Sequence, residues 1–267
     1  MPEPEEDLQL LIDAARAAGD IATRHFRATP KVWEKPDGAG PVTEADLEVD
    51  AMLRDTLCAA RPGYGWLSEE TPDSPDRLSR DTVFIVDPID GTRAFIDGQP
   101  SFAHSLAVVR HGRPVAGVVY LPVRDRMFTA SIGQGASLNG HPISAGGPAS
   151  GDLPKVFASK PNLQARNWPG GVPQVEITYR PSIAYRLALM GTGKAHALVA
   201  FRDTWEWDVA AGALIATEAG AIVTDRTGDS LRFNNLKPLV NGLLIAQDGL
   251  HKQLVAAHNG DGLRPTS

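Results

Sequence analysis

Residues 84–100 read FIVDPIDGTRAFIDGQP, and the apolar run leading into them begins at Thr82 and stops at Asp87. TVFIVD over 82–87 is β-branched and continuously apolar, the pattern of a strand covered on both faces. Open α/β sheets place ligands at the carboxyl ends of their strands, and Asp87 stands at such an end. Pro88 fixes one φ angle and turns the chain, so that Asp87 and Asp90 can share one volume. Two buried carboxylates without a cation repel, and at least one takes up a proton. A bound divalent cation removes that conflict. Oxygen donors with no Cys or His beside them indicate a hard ion, Mg²⁺ with Mn²⁺ as a substitute, rather than zinc. Gly91 and Thr92 then open the next segment with free backbone N–H groups, which suit a phosphate oxygen.

The rest of the chain alternates helical and extended patterns. Leu8, Leu11, Ala15, Ala18, Ala22 and Phe26 recur at spacings of three and four, which predicts an amphipathic helix over 7–27. A short strand and loop follow, then a second helix that opens at Thr43 and stops at Pro62-Gly63. GWLSEE is a short apolar segment running into a carboxylate pair. Residues 105–140 predict three consecutive strands, with turns at His111-Gly112 and near Arg124-Asp125. The second half predicts a strand in GDLPKVFAS, a helix over 182–195, a strand over 196–201 and a helix over 207–219 closed by Gly220. A hairpin in AIVTDRTGDSLRF, a strand in LLIAQ and a last helix after Asp248 complete the pattern. The Gly- and Pro-rich stretch at 146–154 is the natural seam, giving halves 1–150 and 151–267 of one compact unit. Alternation in both halves implies a layered α/β sandwich.

Three further acidic clusters stand beside strand ends or helix starts: Thr43 with Asp46, Glu69 with Glu70, and Asp208 in WEWDVAAG. Each has an ordinary structural reading. Thr43 and Asp46 have the spacing of a capping box, Asp208 that of a partner for a helix N-terminus, and Glu69-Glu70 that of a solvated loop pair. Together with DPIDGT they have another. Phosphate monoesters hydrolyse slowly because the anion repels a nucleophile and the alkoxide leaves poorly. Two metal ions about 3.5–4 Å apart hold the phosphate, acidify a water and stabilise the leaving oxygen. Such a site needs carboxylates from separate segments and a hydroxyl to orient the water, and these clusters supply both.

Composition narrows the setting. The chain has 267 residues, 42% hydrophobic and 22% charged, enough to bury a core without staples. Cys58 is its only cysteine, so no disulfide framework or thiolate metal cage is expected and a reducing compartment fits. The acidic opening MPEPEEDLQ argues against a signal peptide, and no apolar run approaches the roughly 18–20 residues that span a bilayer. The expectation is a cytoplasmic protein with no membrane partner. A net charge of −6 without a basic block makes nucleic acid polymers poor partners, while a small anion remains possible.

GPVTEAD, GWLSEE, VDPIDGTRAF and WDVAAGALIATEAG, in this order and spacing, resemble the inositol monophosphatase superfamily of Mg²⁺-dependent, lithium-sensitive phosphatases. The resemblance runs from about residue 8 to about 256. It implies an α-β-α-β-α sandwich and two to three Mg²⁺ ions. By that resemblance Glu69, Asp87 and the carbonyl of Ile89 are ligands of one metal, Asp87, Asp90 and Asp208 of a second, and Glu69 supports a looser third. Thr43 and Asp46 match the pair that activates the water, with Glu69 and Thr92 also placed in the catalytic set. Gly91, Thr92, Lys35 and Asp208 are the implied substrate contacts, and a homodimer is the family's common assembly.

The substrate branch is read from the second half. Inositol monophosphatases carry a Glu several residues before the WD pair, where this chain has Phe201, Arg202 and Asp203. WEWD and DSLRFNNLKP instead resemble the 3′(2′),5′-bisphosphate nucleotidases, which hydrolyse 3′-phosphoadenosine 5′-phosphate. Trp205, Phe201, Arg202 and Arg180 are candidates for an adenine wall and a second-phosphate site, against the ordinary reading of core aromatics and surface arginines. Glu218 is expected to be structural. The alternatives are a phosphatase for inositol 1-phosphate or histidinol phosphate and, in another class, a non-catalytic metal- or nucleotide-binding protein.

Overall fold

The computed structural model describes residues 2–28, 30–35, 40–146 and 153–261; the expected seam falls mostly outside them. Helix α1 (Pro4–His25) is followed by β1 (Val32–Glu34), β2 (Pro41–Thr43), α2 (Glu44–Ala60), β3 (Gly65–Ser68), β4 (Thr82–Asp90) and the short α3 (Thr92–Ile96). A meander of β5 (Ala103–Arg110), β6 (Arg113–Leu121), β7 (Arg126–Ser131), β8 (Ala136–Leu138) and β9 (His141–Ile143) comes next. The second half holds β10 (Lys155–Phe157), β11 (Glu176–Thr178), α4 (Ile183–Met190), β12 (Ala197–Ala200), β13 (Thr204–Trp205) and α5 (Glu206–Glu218). It ends in β14 (Ile222–Thr224), β15 (Leu239–Val240), β16 (Leu243–Ala246) and α6 (Asp248–Asn259).

Strands β3 to β9 form a seven-stranded sheet in sequence order, parallel only between β3 and β4. A second sheet has the order β11-β10-β12-β16-β14. The continuous apolar run of β4 has the cause its sequence suggests. Phe84 and Val86 pack with α1 and α2 on one face, while Val83 and Ile85 pack toward α4 and α5 on the other. Helices α4 and α5 fill the space between the sheets, and Leu254 and Ala257 of α6 cover the far face of the second. The result is the α-β-α-β-α sandwich.

The stretch VDPID carries a β-bulge. Asp87 pairs with Ser105 and Asp90 with Ala103, so two residues, Pro88 and Ile89, stand opposite the single His104. In a regular strand, positions three apart point to opposite faces. One extra residue reverses that parity and lets both aspartates face the same way. Pro88, which has no N–H to give a ladder, sits at the bulge, and the buried His104 ring meets its carbonyl through Nδ1. The turn chemistry is thus a bulge inside a strand that reaches Asp90, rather than a strand ending at Asp87.

Other boundaries moved for local reasons. The hairpin turn at His111-Gly112 has φ of 49° and 77°, as a type I′ turn requires. Helix α4 ends at Met190, one turn before Gly193, and two short strands, β8 and β9, extend the meander. The expected hairpin at 221–233 does not form. The Asp225 carboxylate accepts from the amides of Thr227 and Asp229, locking a turn, and β14 pairs with β16 instead. The chain then runs away to bury Phe233.

The centre of the sandwich depends on close backbone approach. A methyl group at Gly212 of α5 would collide with the Leu187 Cβ of α4. Gly212→Ala is expected to lower stability by about 1–3 kcal/mol through overpacking, measured by urea unfolding.

Candidate active site

Four carboxylates meet where β3, β4 and α5 come together. The parallel register sets Ser68 beside Val86, so Glu69 emerges next to Asp87. The bulge adds Asp90, and the first turn of α5 brings Asp208, anchored where Ser105 Oγ donates to the Trp207 carbonyl at 2.8 Å. One oxygen each from Glu69, Asp87 and Asp208 lies within 4.8 Å of the others. Asp87 is buried and neither of its oxygens has a hydrogen-bond donor. Burial, then Glu69, Asp90 and Asp208, hold its carboxyl well above the ordinary range. Burial, then Asp90 and Glu69, do the same to Asp208. Asp90 is pushed up to about 6 by burial, moderated by donation from Ser182 Oγ and the Ala184 amide, each at 2.6 Å from Oδ2. An all-oxygen, electron-rich cluster with an orphaned central carboxylate fits a hard divalent cation.

Two further contacts hold the edge of the cluster. Lys35 Nζ donates to Glu69 at 2.6 Å and to Glu70 at 2.7 Å. Burial acts to lower the ammonium's pKa, but the charge of Glu69 and these bonds outweigh it and raise it overall. Glu70 is no solvated loop residue: its side chain is 5% exposed, and burial pushes its carboxyl up to about 7. The loop is fixed from below by Asp50, which accepts from Ser68 Oγ at 2.5 Å and Thr71 Oγ1 at 2.6 Å.

The capping-box reading of Thr43 and Asp46 is met in full. Thr43 caps α2 and the reciprocal capping box is complete. The same hydroxyl donates to Asp46 Oδ2 at 2.5 Å and accepts, over longer distances, from the amides of Ala45 at 3.2 Å and Asp46 at 3.4 Å. Thr92 Oγ1 reaches Asp46 Oδ1 at 3.3 Å and the Ile89 carbonyl at 3.2 Å. Burial lifts the Asp46 carboxyl to about 6. Gly91 has φ of 95°, a left-handed conformation that only glycine takes without strain; it starts the turn into α3.

A cavity of about 630 Å³ adjoins Asp90 and Asp208. Arg202 and Phe201 line it as the sequence suggests, together with Arg166 and Arg186. Arg180 does not line it; its place is a neighbouring groove. Trp205 also lies outside the lining, stacked on Trp207 at 4.7 Å and 43% exposed. Glu218 accepts from the amides of Gly133 and Gly135, a structural role. Arg186 was missed, although it left a signal: it is the lone charge in the apolar helix IAYRLALM, four residues after the N-cap Ser182. Arg166 sits in an irregular segment that gave none.

The chain matches the Inositol monophosphatase family over residues 3–261. It is 33% identical to the inositol-1-monophosphatase of Rhizobium meliloti over 250 residues, covering 89% of this chain and 90% of that one. It is 32% identical over 240 residues to the Nus factor SuhB of Escherichia coli, covering 83% and 85%. The solved structure of the Thermotoga maritima IMPase superposes with a TM-score of 0.82 at 28% identity, covering 95% of this chain and 97% of that one. The protein belongs to the inositol monophosphatase family. It is a metal-dependent phosphoric monoester hydrolase acting on a small phosphate ester, and no helix among its described residues is long and apolar enough to cross a membrane.

Proposed function

We propose that the chain is a Mg²⁺-dependent phosphatase whose preferred substrate is 3′-phosphoadenosine 5′-phosphate, cut to AMP and phosphate. The observation that carries the chemistry is the orphaned Asp87 carboxylate among Glu69, Asp90 and Asp208. Glu69, Asp87, Asp90, Asp208 and the Ile89 carbonyl are the residues that would hold the cations, with Asp87 at the centre of the cluster. Mn²⁺ would serve in place of Mg²⁺, and Glu69 would also support a third, looser ion. When bound, the cations supply Lewis acidity to the phosphoryl oxygens and acidify water. Thr43 receives the proton of the attacking water while passing its own to Asp46, whose ionised form is the acceptor. Gly91 and Thr92 hold the phosphate through the turn they form, and Lys35 keeps Glu69 oriented. The halves 1–150 and 151–267 act as one catalytic unit; lithium inhibition, a homodimer and a cytoplasmic setting accompany this reading.

The substrate choice is supported by the cavity. Arg166, Arg186 and Arg202 line one cavity with Asp90 and Asp208. Burial, with Arg202 nearby, pulls the Arg186 pKa down, while Asp90 and Asp208 raise it. Convergent guanidiniums need an anion as convergent carboxylates need a cation, and a second phosphate provides it. Tyr179, 56% exposed, offers apolar area to a base, while the Phe201 ring is buried against His258 and Trp168. The names of the relatives favour a second reading, inositol 1-phosphate. Turnover of 3′-phosphoadenosine 5′-phosphate, inositol 1-phosphate and histidinol phosphate side by side separates them. A higher kcat/KM on inositol 1-phosphate overturns the preference. Arg186→Gln is expected to cost the bisphosphate about 10- to 100-fold in kcat/KM, the worth of one charge-assisted hydrogen bond.

A further inference from the structure

A second groove, about 700 Å³, lies beside the active-site cavity and shares Tyr179 and Pro181 with it. Arg124, Arg126, Lys155, Arg180 and Lys194 line it, against one carboxylate, Glu176. In a chain of net charge −6 this is a strong local reversal, and gathering like charges raises their energy unless a counter-charge visits. Among the described residues none of the five cations forms a salt bridge. The arginines are oriented by neutral acceptors instead. Arg124 Nε donates to the Pro100 carbonyl at 2.6 Å, Arg126 Nη1 to the Tyr185 hydroxyl at 3.2 Å, and Arg180 Nη1 to the Tyr179 carbonyl at 2.6 Å. Such contacts aim the guanidinium forks without discharging them.

The groove is also joined to the reaction centre. Tyr185, whose hydroxyl meets Arg126, gives its amide to Ser182 Oγ at 2.9 Å. That hydroxyl donates in turn to Asp90. Three hydrogen bonds therefore connect the cationic wall to a carboxylate of the acidic cluster.

We propose that this groove is a second binding site, separate from the place where the ester is cut, for a small ligand carrying two or more phosphate groups. Its volume is that of a nucleotide-sized pocket, and its planar guanidiniums match phosphate oxygens. The inference stands whichever ester is the substrate.

Inorganic tripolyphosphate is the probe, titrated calorimetrically into the full chain in EDTA at low salt, where the metal-free acidic cluster repels it. One site is expected, weakening steeply with added salt as screening requires. Arg180→Gln/Lys194→Gln, both exposed positions and so compatible with folding, is expected to lose about tenfold or more in affinity, since each charged contact is worth roughly 1 kcal/mol or more. Arg202→Gln, in the neighbouring cavity, is expected to change it less than about twofold, within the range of an uninvolved surface site. Three results overturn the proposal. One is no binding at millimolar probe. Another is loss in Arg202→Gln but not in the double variant, which places the probe in the active-site cavity. The third is a double variant that dissociates a dimer in sedimentation while keeping probe affinity, which makes the groove a contact between copies.

Discussion

Asp87→Asn is expected to abolish turnover and, in the metal-free protein, to raise the melting temperature. The two effects share one cause. Asp87 is buried, has no donor to either oxygen, and stands among Glu69, Asp90 and Asp208. In the proposed site it would be a central metal-holding group, and metal charge is worth several kcal/mol to the transition state. Each 1.36 kcal/mol is tenfold in rate, so kcat is expected to fall by about 10³ or more. Without metal the same carboxylate is a cost, because its burial and its neighbours oppose ionisation. The amide removes a charge and adds two donors within a cluster of acceptors. Stability exchanged for function at a reactive site is the general pattern. Kinetics in Mg²⁺ and thermal melting in EDTA check the two halves. Near-full activity would remove Asp87 from the metal site, and a lower melting point would mean that its carboxylate is held by something other than repulsive neighbours.

The sequence carried most of this site because its residues lie at points where local rules break. A β-branched run ending in DPID, a Thr–Asp pair at a helix start and an Asp in the first turn of an apolar helix each leave a mark over a few residues. The apolar run of β4 also announced its two covered faces, and with them the layered fold. The bulge was less legible: Pro88 signalled a turn, but only the pairing of Asp87 with Ser105 and Asp90 with Ala103 reveals the extra residue that reverses parity. Long-range partners left no local trace. Nothing in the spacing ties Lys35 to Glu70, Asp50 to Thr71, or Ser182 to Asp90, since these meet across 21 to 92 residues. Arg180 illustrates the same limit. It sits three residues before the first residue of α4, where Arg186 reaches the cavity, yet it lines the adjacent groove, a difference of facing that composition does not encode.

Mg²⁺ is expected to stabilise the folded protein more at pH 8 than at pH 5. A carboxyl whose folded pKa lies above its unfolded value binds its proton more tightly when folded. Its contribution is complete below the unfolded pKa of 3.8 and is lost as pH rises through the folded one. For Asp46 and Asp90 that window runs from 3.8 to about 6. Asp87 and Asp208 are held well above 3.8 and extend the loss to higher pH. His104 acts in the opposite direction. Burial pulls its pKa down from 6.5 to about 4, so its contribution is present above 6.5 and lost as pH falls through that interval. The two trends oppose each other below 6.5; above it His104 is constant, and the metal-free protein is expected to weaken as the remaining carboxyls ionise. A bound cation replaces the missing protons, so it competes with them at pH 5 and has an emptied cluster to fill at pH 8. At a free concentration 100 times its dissociation constant a ligand adds about 2.7 kcal/mol. For a chain of this size that is roughly 5–10 °C in melting temperature, with a gap at pH 5 expected to be less than about half as large from proton competition. Melting with Mg²⁺ and with EDTA across this range measures the gap directly. A gap that narrows from pH 5 to pH 8 would place the ion away from these carboxylates, and in Asp87→Asn the gap is expected to shrink at every pH.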